Sequence, residues 1–249
     1  MFDIIMSNDP FHVITASAMQ SIWSRSPCRY QNIVIPHMLR MMTNVLPPEP
    51  LLVVQSTDSR KSTVPLTYSA VNGRITIIVE NTLALGSDQV TKVILNATHS
   101  HKHVKAYQLD VFKTKTDQIG LSDAIIDHCT NNKDTSILFF SSPETLLKSM
   151  WKEFITRIVA LNLLHMFCLD EIHLFVEFGI SFRKEFQLLK NNILKSIQNS
   201  DEMYKVPLIL MTTTFDYTLH CILQQMLDIS LRPCNTFLGK QANFQERSC

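Results

Sequence analysis

The stretch HMFCLDEIH, residues His165–His173, is the part of this chain that decides its fold. Its apolar half predicts a buried strand over Met166–Leu169, and Asp170 and Glu171 follow where that strand ends. Two adjacent carboxylates with a histidine two residues on suit a magnesium–nucleotide site, where one carboxylate holds the metal and the other polarises a water. An ordinary strand end before an acidic helix N-terminus is the alternative. The tetrapeptide alone leaves both open, so the surrounding sequence decides between them.

The composition is that of a folded globular protein. The length of 249 residues is enough for one large domain or two small ones with a core. Hydrophobic residues make up 45% of the chain and charged residues 18%, as in folded globular proteins. The net charge of +1 gives no global basic excess, so nucleic-acid binding would need basic residues clustered locally. The six cysteines form no CxxC pair and no zinc-like spacing, which predicts reduced side chains in an intracellular protein.

The sequence shows no pattern of a secreted or membrane protein. Residues Met1–Pro10 carry no basic segment followed by an apolar stretch, so we expect no signal peptide. The most apolar run, Ile158–Leu169, is interrupted by Asn162 and His165 and is too short to span a bilayer. We therefore expect an intracellular chain with no membrane partner.

Short β-rich runs alternate with longer helical patterns, which predicts an α/β fold with a mostly parallel sheet covered by helices on both faces. The predicted strands are Leu51–Val54, Ile75–Val79, Val104–Leu109, Ile137–Phe140, Met166–Leu169 and Pro207–Met211. The predicted helices are Leu85–Asn96, Arg183–Ile197, Tyr217–Leu227 and one that starts with Ser142 as its N-cap and Pro143 in its first turn.

Polar segments follow three of these predicted strands. They are Thr57–Ser62, Asp170–His173 and Thr212–Thr214. Because ligands of parallel sheets bind at the carboxyl ends of the strands, these segments are where we expect the functional site.

The segment after the first strand, Gln55–Ser62 (QSTDSRKS), ends like a phosphate-binding loop. In such a loop the lysine reaches the terminal phosphates and the following hydroxyl ligates magnesium, roles that would fall to Lys61 and Ser62. The glycine positions of the strict pattern hold Gln55 and Arg60, however, and an ordinary polar strand–helix turn is the alternative. A non-glycine residue forced into the left-handed region costs about 1–3 kcal/mol.

Taken together, these segments resemble the first motor lobe of RecQ-like superfamily 2 DNA helicases. The most specific part is Asp170–Phe186, an Asp-Glu-x-His box followed by an aromatic-rich loop with Phe178-Gly179, Phe182-Arg183 and Phe186 at matching spacing. The other resembling segments, in the family's order, are Cys28–Gln31 (glutamine motif), Leu83–Val90 (after the second strand), Ser142–Glu144 (Ser/Thr-Pro-Glu) and Met211–Thr214 (Thr-Ala-Thr). The resemblance covers about Tyr30–Leu227.

The resemblance implies a RecA-like P-loop NTPase fold, a three-layer sandwich around a mostly parallel central sheet. It divides the chain into an N-terminal helical segment with glutamine-motif-like residues (1–45), the ATP-binding lobe (46–233) and a flexible tail (234–249). The implied function is that of a RecQ-like ATP-dependent DNA helicase: ATP binding, DNA binding, and ATP hydrolysis coupled to strand movement.

The resemblance also implies roles for individual residues. ATP would be bound by Gln31 at the adenine and by Thr57, Lys61 and Ser62 at the phosphates. Mg²⁺ would be held by Ser62 and Asp170. Glu171 would orient the attacking water, and His173 would connect the site to the coupling residues Thr212 and Thr214. For Gln31, the alternative is a polar residue at the start of an amphipathic helix.

Three further residues would contact single-stranded or duplex DNA by the same resemblance. They are Phe178, Phe182 and Arg183, since aromatic faces and guanidinium planes stack on bases. Simple core packing of the aromatic residues is the alternative.

Three departures from the family pattern bear on activity. Besides Arg60 in the phosphate loop, Glu80 stands where a small residue or proline usually precedes the strand-gripping loop. The sequence also ends soon after Thr214, so we expect the second motor lobe to be absent and an isolated lobe not to unwind DNA. A catalytically inactive, helicase-derived nucleic-acid-binding or adaptor protein is therefore the alternative function. Nuclear localisation rests on the resemblance alone, and the oligomeric state stays open.

A histidine cluster gives a third, weaker hypothesis. His99, His101 and His103 would share one face of an extended chain and could chelate a transition metal. Lys102 intervenes and no carboxylate or cysteine lies close in sequence, so a solvated loop between a helix and a strand is the favoured interpretation.

Overall fold

The structure is a computed structural model, and it describes residues 9–46, 49–56, 59–80, 83–99, 104–132, 134–177, 187–198, 206–233 and 236–238. Seven strands form one sheet in which each neighbouring pair is parallel. They are β1 (Leu51–Val54), β2 (Arg74–Val79), β3 (Val104–Gln108), β4 (Ser136–Ser141), β5 (Leu164–Leu169), β6 (Leu208–Thr212) and β7 (Thr236–Leu238).

Helices connect and cover these strands. They are α1 (Pro10–Trp23), α2 (Gln31–Met42), α3 (Thr63–Asn72), α4 (Leu83–His99), α5 (Lys115–Asn131), α6 (Pro143–Leu146), α7 (Ser149–Ala160), α8 (Ile172–Glu177), α9 (Lys195–Gln198) and α10 (Tyr217–Leu227). A 3₁₀ turn at Leu109–Val111 follows β3, and a π-helical segment at Lys190–Leu194 leads directly into α9.

The helix ends follow local sequence chemistry. Ser142 is the N-cap of α6, where its hydroxyl accepts a hydrogen bond from the Thr145 N–H at 3.3 Å, and Pro143 takes the first helical position as predicted. Asp216 caps α10 in the same way, accepting from the Leu219 N–H at 2.6 Å. Gly73 ends α3 at φ 70°, a conformation that glycine adopts without steric cost.

The sheet is buried on both faces, so the fold is a three-layer α/β sandwich of RecA-like type. Alternate residues of one strand enter two separate cores: Phe167 and Leu169 pack with Trp151 on one face, and Met166 and Cys168 pack on the other. This arrangement explains why the strands read as continuous apolar runs rather than as alternating patterns.

Helices α1 and α2 belong to the second face. Met19 of α1 and Val34 and Met38 of α2 are buried in the same core as the sheet residues of that face. The indole N–H of Trp23 donates to the Thr67 hydroxyl of α3 at 2.9 Å. The N-terminal helices therefore share a core with the sheet.

The strand order β3-β4-β2-β5-β6-β1-β7 positions the site. The chain leaves β1, passes through α3 and crosses β6 and β5 before it forms β2. As a result the carboxyl ends of β5, β6 and β1 lie side by side, although they are far apart in sequence. The three polar segments identified from sequence follow these three strands.

A short strand lies within the segment 234–249 that was predicted to be a flexible tail. Thr236–Leu238 form β7, which pairs in parallel with β1, and the other residues of that segment lie outside the described structure. The Phe237 ring packs edge-on against His37 with centroids 5.3 Å apart. The physical reason is that β7 satisfies backbone groups of β1 that would otherwise form an open sheet edge.

Helix lengths also differ from expectation. Helix α4 extends beyond the predicted Leu85–Asn96 at both ends, and the described part of the predicted Arg183–Ile197 helix contains the π-helical segment. Within the described residues, no helix is both long and apolar enough to cross a membrane.

Candidate functional site

The candidate site lies where β1, β5 and β6 end. Backbone hydrogen bonds extend the sheet beyond the ends of β1 and β5. The Gln55 N–H donates to the Thr212 carbonyl at 3.0 Å, and the Asp170 N–H donates to the Val79 carbonyl at 3.0 Å. The phosphate-loop residues after β1, the acidic box after β5 and the end of β6 therefore face one another.

Lys61 is the central cation of the site. Its side chain is only 4% exposed, and its Nζ lies 3.0 Å from Glu171 Oε1 and donates to the Gln55 carbonyl at 3.1 Å. A buried ammonium needs such partners, because an unpaired charge away from water is strongly destabilising. The structure thus joins two predicted site residues that are far apart in the chain.

From Glu171 the contacts continue to the end of β6. Glu171 Oε2 lies 3.4 Å from His173 Nδ1, and His173 Nδ1 lies 3.0 Å from Thr212 Oγ1. The Thr212 hydroxyl donates its only hydrogen to the Thr214 carbonyl at 2.9 Å, so it accepts from His173. This assigns the proton to Nδ1 of His173, and it connects Lys61 to Thr214 through a continuous series of polar contacts.

Asp170 is the buried carboxylate of the box, with 4% exposure. Its Oδ1 accepts the Glu171 N–H at 2.8 Å. Burial raises the pKa of Asp170 to about 6, and the Glu171 carboxylate adds to the rise, while the Glu171 N–H and Lys61 oppose it. A divalent cation at this carboxylate would favour its ionised form.

Ser62 and Asp170 are the residues that would hold magnesium. A hydroxyl and a carboxylate are hard oxygen ligands, and Mg²⁺ is usually bound by one or two carboxylates together with substrate phosphates and water. The residues therefore fit the ion. The Ser62 hydroxyl accepts a hydrogen bond from the Gln89 amide of α4 at 3.0 Å. Gln89 is buried and had no predicted role, although the segment that contains it was matched to the family.

The phosphate loop carries backbone strain at the expected place. Arg60 occupies the glycine position before the lysine and has φ 62°, in the left-handed region. Glu171 also lies there, with φ 48°. Strained residues of this kind cluster at functional sites, where the surrounding structure holds them. Thr57, a predicted phosphate contact, lies outside the described residues.

The start of α2 holds the phosphate loop from the side. Gln31 is 2% exposed: its amide oxygen accepts the Cys28 N–H at 2.9 Å, and its amide nitrogen donates to the Thr63 hydroxyl at 2.6 Å. The Tyr30 hydroxyl donates to the Ser59 carbonyl at 2.6 Å. Burial raises the pKa of Tyr30 well above its ordinary value, so the phenol remains a neutral donor.

Sequence reasoning gave Glu80 no role beyond a departure from the family pattern. Glu80 follows β2, beside Asp170, which follows β5. It is 2% exposed, and its Oε2 has no hydrogen-bond partner in the described part of the chain. Burial raises the pKa of Glu80 to about 8, the Asp170 carboxylate adds to the rise, and Lys92 opposes it. A glutamate at the end of an otherwise apolar strand was the available signal.

Asp110 is a second residue that the sequence reading missed. It is buried after β3 and accepts three hydrogen bonds from the start of α6: from the Ser142 N–H at 3.0 Å, from the Ser142 hydroxyl at 2.6 Å and from the Thr145 hydroxyl at 2.6 Å. The segment after β4 is thereby tied to the segment after β3.

Other predicted residues lie outside the described structure. These are the nucleic-acid residues Phe178, Phe182 and Arg183, and His101 and His103 of the histidine cluster. Among the residues that are described, no group of three or more His, Cys, Asp or Glu side chains is placed to hold a metal ion.

Comparison with known proteins places the fold. No protein-family model and no curated protein sequence matches the chain. The solved structure of the DUF1998 helicase MrfA bound to DNA and AMPPNP matches 91% of this chain with a TM-score of 0.58 and 16% identity. Another structure of MrfA matches 93% with a TM-score of 0.59 and 12% identity. Dbp5 of S. cerevisiae, in a complex with ADP, matches 93% with a TM-score of 0.52 and 12% identity.

These matches cover only part of the other proteins. The chain spans 29% of MrfA in the DNA-bound complex with AMPPNP and 52% of Dbp5. At such identities the likeness shows the fold. The described part of the chain has the RecA-like α/β fold found in these helicases.

Proposed function

We propose that this chain is the ATP-binding lobe of a RecQ-like, nucleic-acid-dependent motor that hydrolyses ATP. The observation that carries the proposal is the series of contacts from Lys61 through Glu171 and His173 to Thr212. A phosphate-binding lysine, a water-orienting carboxylate and a strand-end hydroxyl must be linked if hydrolysis is to be coupled to movement. The similar structures that contain AMPPNP or ADP support nucleotide binding, and those that contain DNA support a nucleic-acid partner.

In this proposal Lys61 exchanges its partner when nucleotide enters. The terminal phosphates take the ammonium, and the Glu171 carboxylate is released to orient the attacking water. Ser62 and Asp170 hold Mg²⁺, which when bound neutralises charge on the phosphates. His173 keeps its bond to Thr212, so a shift of Glu171 is passed to the end of β6.

The nucleic-acid contacts are also proposals. Phe178, Phe182 and Arg183 would contact DNA through stacking and charge, by resemblance to the family. Unwinding by a complete motor would need the second lobe, and the nuclear location rests on the same resemblance.

A second candidate function is a nucleotide-free nucleic-acid-binding or adaptor protein. The geometry of Lys61 favours it: its ammonium already has the Glu171 carboxylate and the Gln55 carbonyl, so phosphate must displace a buried ion pair. The left-handed Arg60 places a cationic side chain where the family has glycine.

The deciding experiment measures ATP binding and DNA-stimulated ATP hydrolysis by the purified chain. Lys61→Ala should abolish both, while Glu171→Gln should retain binding and lose hydrolysis. Lys105→Ala, at an exposed lysine of the edge strand β3, is the matched control and should behave as wild type. Failure of the wild-type chain to bind ATP would refute the motor proposal, and single-strand binding that persists in its absence would support the adaptor.

A further inference from the structure

The amide of Gln31, the residue matched to the adenine-reading glutamine, has its polar groups engaged by the protein itself. To read adenine, an amide must accept from the N6 amino group and donate to N7 at the same time. In this chain the Gln31 oxygen accepts from the Cys28 N–H and the nitrogen donates to the Thr63 hydroxyl. Gln31 is also 98% buried, as its exposed fraction is 2%.

Releasing Gln31 for a base would break both of these hydrogen bonds. The Cys28 N–H lies at the start of α2, and Thr63 begins α3 immediately after the phosphate loop. The second hydrogen of the Gln31 nitrogen faces the Tyr30 hydroxyl at 3.3 Å and the Arg60 carbonyl at 3.5 Å, so it too is directed at the protein. The buried member of this group is Gln31, and a buried amide that loses its partners is destabilised, so a base would have to replace every one of these bonds.

The neighbouring hydroxyls are directed at the loop as well. The Tyr30 hydroxyl donates to the Ser59 carbonyl, and the Thr63 hydroxyl donates to the Arg60 carbonyl at 2.7 Å. Gln31, Tyr30 and Thr63 therefore hold the backbone of a phosphate loop that lacks glycine. The phosphate end of the site keeps Lys61, Ser62 and Asp170 as recognition groups.

We propose that the site takes magnesium nucleoside triphosphates with no preference among the four bases, and that Gln31 is a positioning residue of the phosphate loop. This inference rests on the proposed function, because it assumes that a triphosphate is bound. Among the described residues with a predicted nucleotide role, it leaves recognition to Lys61, Ser62 and Asp170 at the phosphate end.

The test compares dissociation constants of the full chain for ATP, GTP, CTP and UTP with magnesium, and uses inorganic tripolyphosphate as competitor. One glutamine bonding both adenine groups would favour ATP by roughly five- to 150-fold, whereas we expect the four values to agree within about threefold. Tripolyphosphate should displace every nucleotide. Gln31→Ala and Thr63→Val should weaken all four nucleotides by the same factor, as loss of loop positioning requires.

The outcomes separate this inference from the proposed function. If ATP binds about tenfold or more tightly than GTP, and Gln31→Ala removes the difference, base reading by Gln31 is established and the inference is overturned while the motor proposal stands. If neither nucleotide nor tripolyphosphate binds, both are overturned. The comparison among nucleotides uses the wild-type chain, so it decides the question even where a variant fails to fold.

Discussion

Glu80→Gln should stabilise the folded chain, and by an amount that grows with pH. The carboxyl of Glu80 is buried beside Asp170, and its pKa rises from 4.5 to about 8 on folding. A group whose pKa is higher in the folded than in the unfolded state binds more protons when the chain is folded. The stability that Glu80 contributes is therefore present at low pH and is lost as the pH rises from 4.5 towards 8. At 1.36 kcal/mol for each pH unit in that window, ionising Glu80 costs the folded chain about 4 kcal/mol at about pH 8.

The glutamine amide has nearly the same shape and stays neutral throughout. The free energy of unfolding of Glu80→Gln should therefore exceed that of wild type by about 4 kcal/mol at about pH 8 and by under about 1 kcal/mol at about pH 5. Urea unfolding at several pH values measures both curves. Asp170 remains in the variant and keeps a smaller pH dependence of the same sign, because its own pKa is raised to about 6.

The control is Glu153→Gln, which makes the same substitution at an exposed position of α7 and should not reproduce the gain. If Glu80→Gln is no more stable than wild type at high pH, or if its gain in stability does not depend on pH, the conclusion that Glu80 is buried with a raised pKa is refuted.

Three further predictions concern stability. Arg60→Gly should raise the free energy of unfolding, measured with urea, by about 0.5–1 kcal/mol. Glycine removes the left-handed strain, and its own entropic cost is smaller than that strain. Arg60→Ala should give no gain. Asp110→Asn should lower the free energy of unfolding by about 1–3 kcal/mol, since one acceptor oxygen is lost from a buried site with three donors. Asp123→Asn, in an exposed ion pair, should lower it by under about 1 kcal/mol. Equal losses in the two variants would refute the buried hydrogen-bond network of Asp110. Deletion of 234–249 should lower the melting temperature and promote aggregation by exposing the edge of β1, and deletion of 240–249 should not, as light scattering during thermal unfolding would show.

Much of the fold follows from local sequence. Strands such as Leu51–Val54 are contiguous apolar runs that only a doubly covered sheet accommodates, and Ser142-Pro143 marks a helix start through capping chemistry. The polar segments that contain Lys61, Asp170 and Thr212 were also predictable, because each follows an apolar run that forms a strand. The strand β7 was not predicted, because it is short and has little pattern of its own.

The site depended on contacts that no local pattern contains. That Lys61 pairs with Glu171, and that Gln31 is engaged by Cys28 and Thr63, depends on which strands and helices become neighbours. The same holds for Glu80, whose raised pKa comes from burial beside a carboxylate on another strand.

Hydrophobic periodicity and capping act over a few residues, so the fold class and the residue types at the carboxyl ends of the strands follow from local sequence. Which of those groups are paired, strained or buried follows from the packing of the described elements. The physical reason is that hydrogen bonds and desolvation depend on distances of a few ångströms between residues far apart in the chain. Those distances are set by the order of the strands in the sheet.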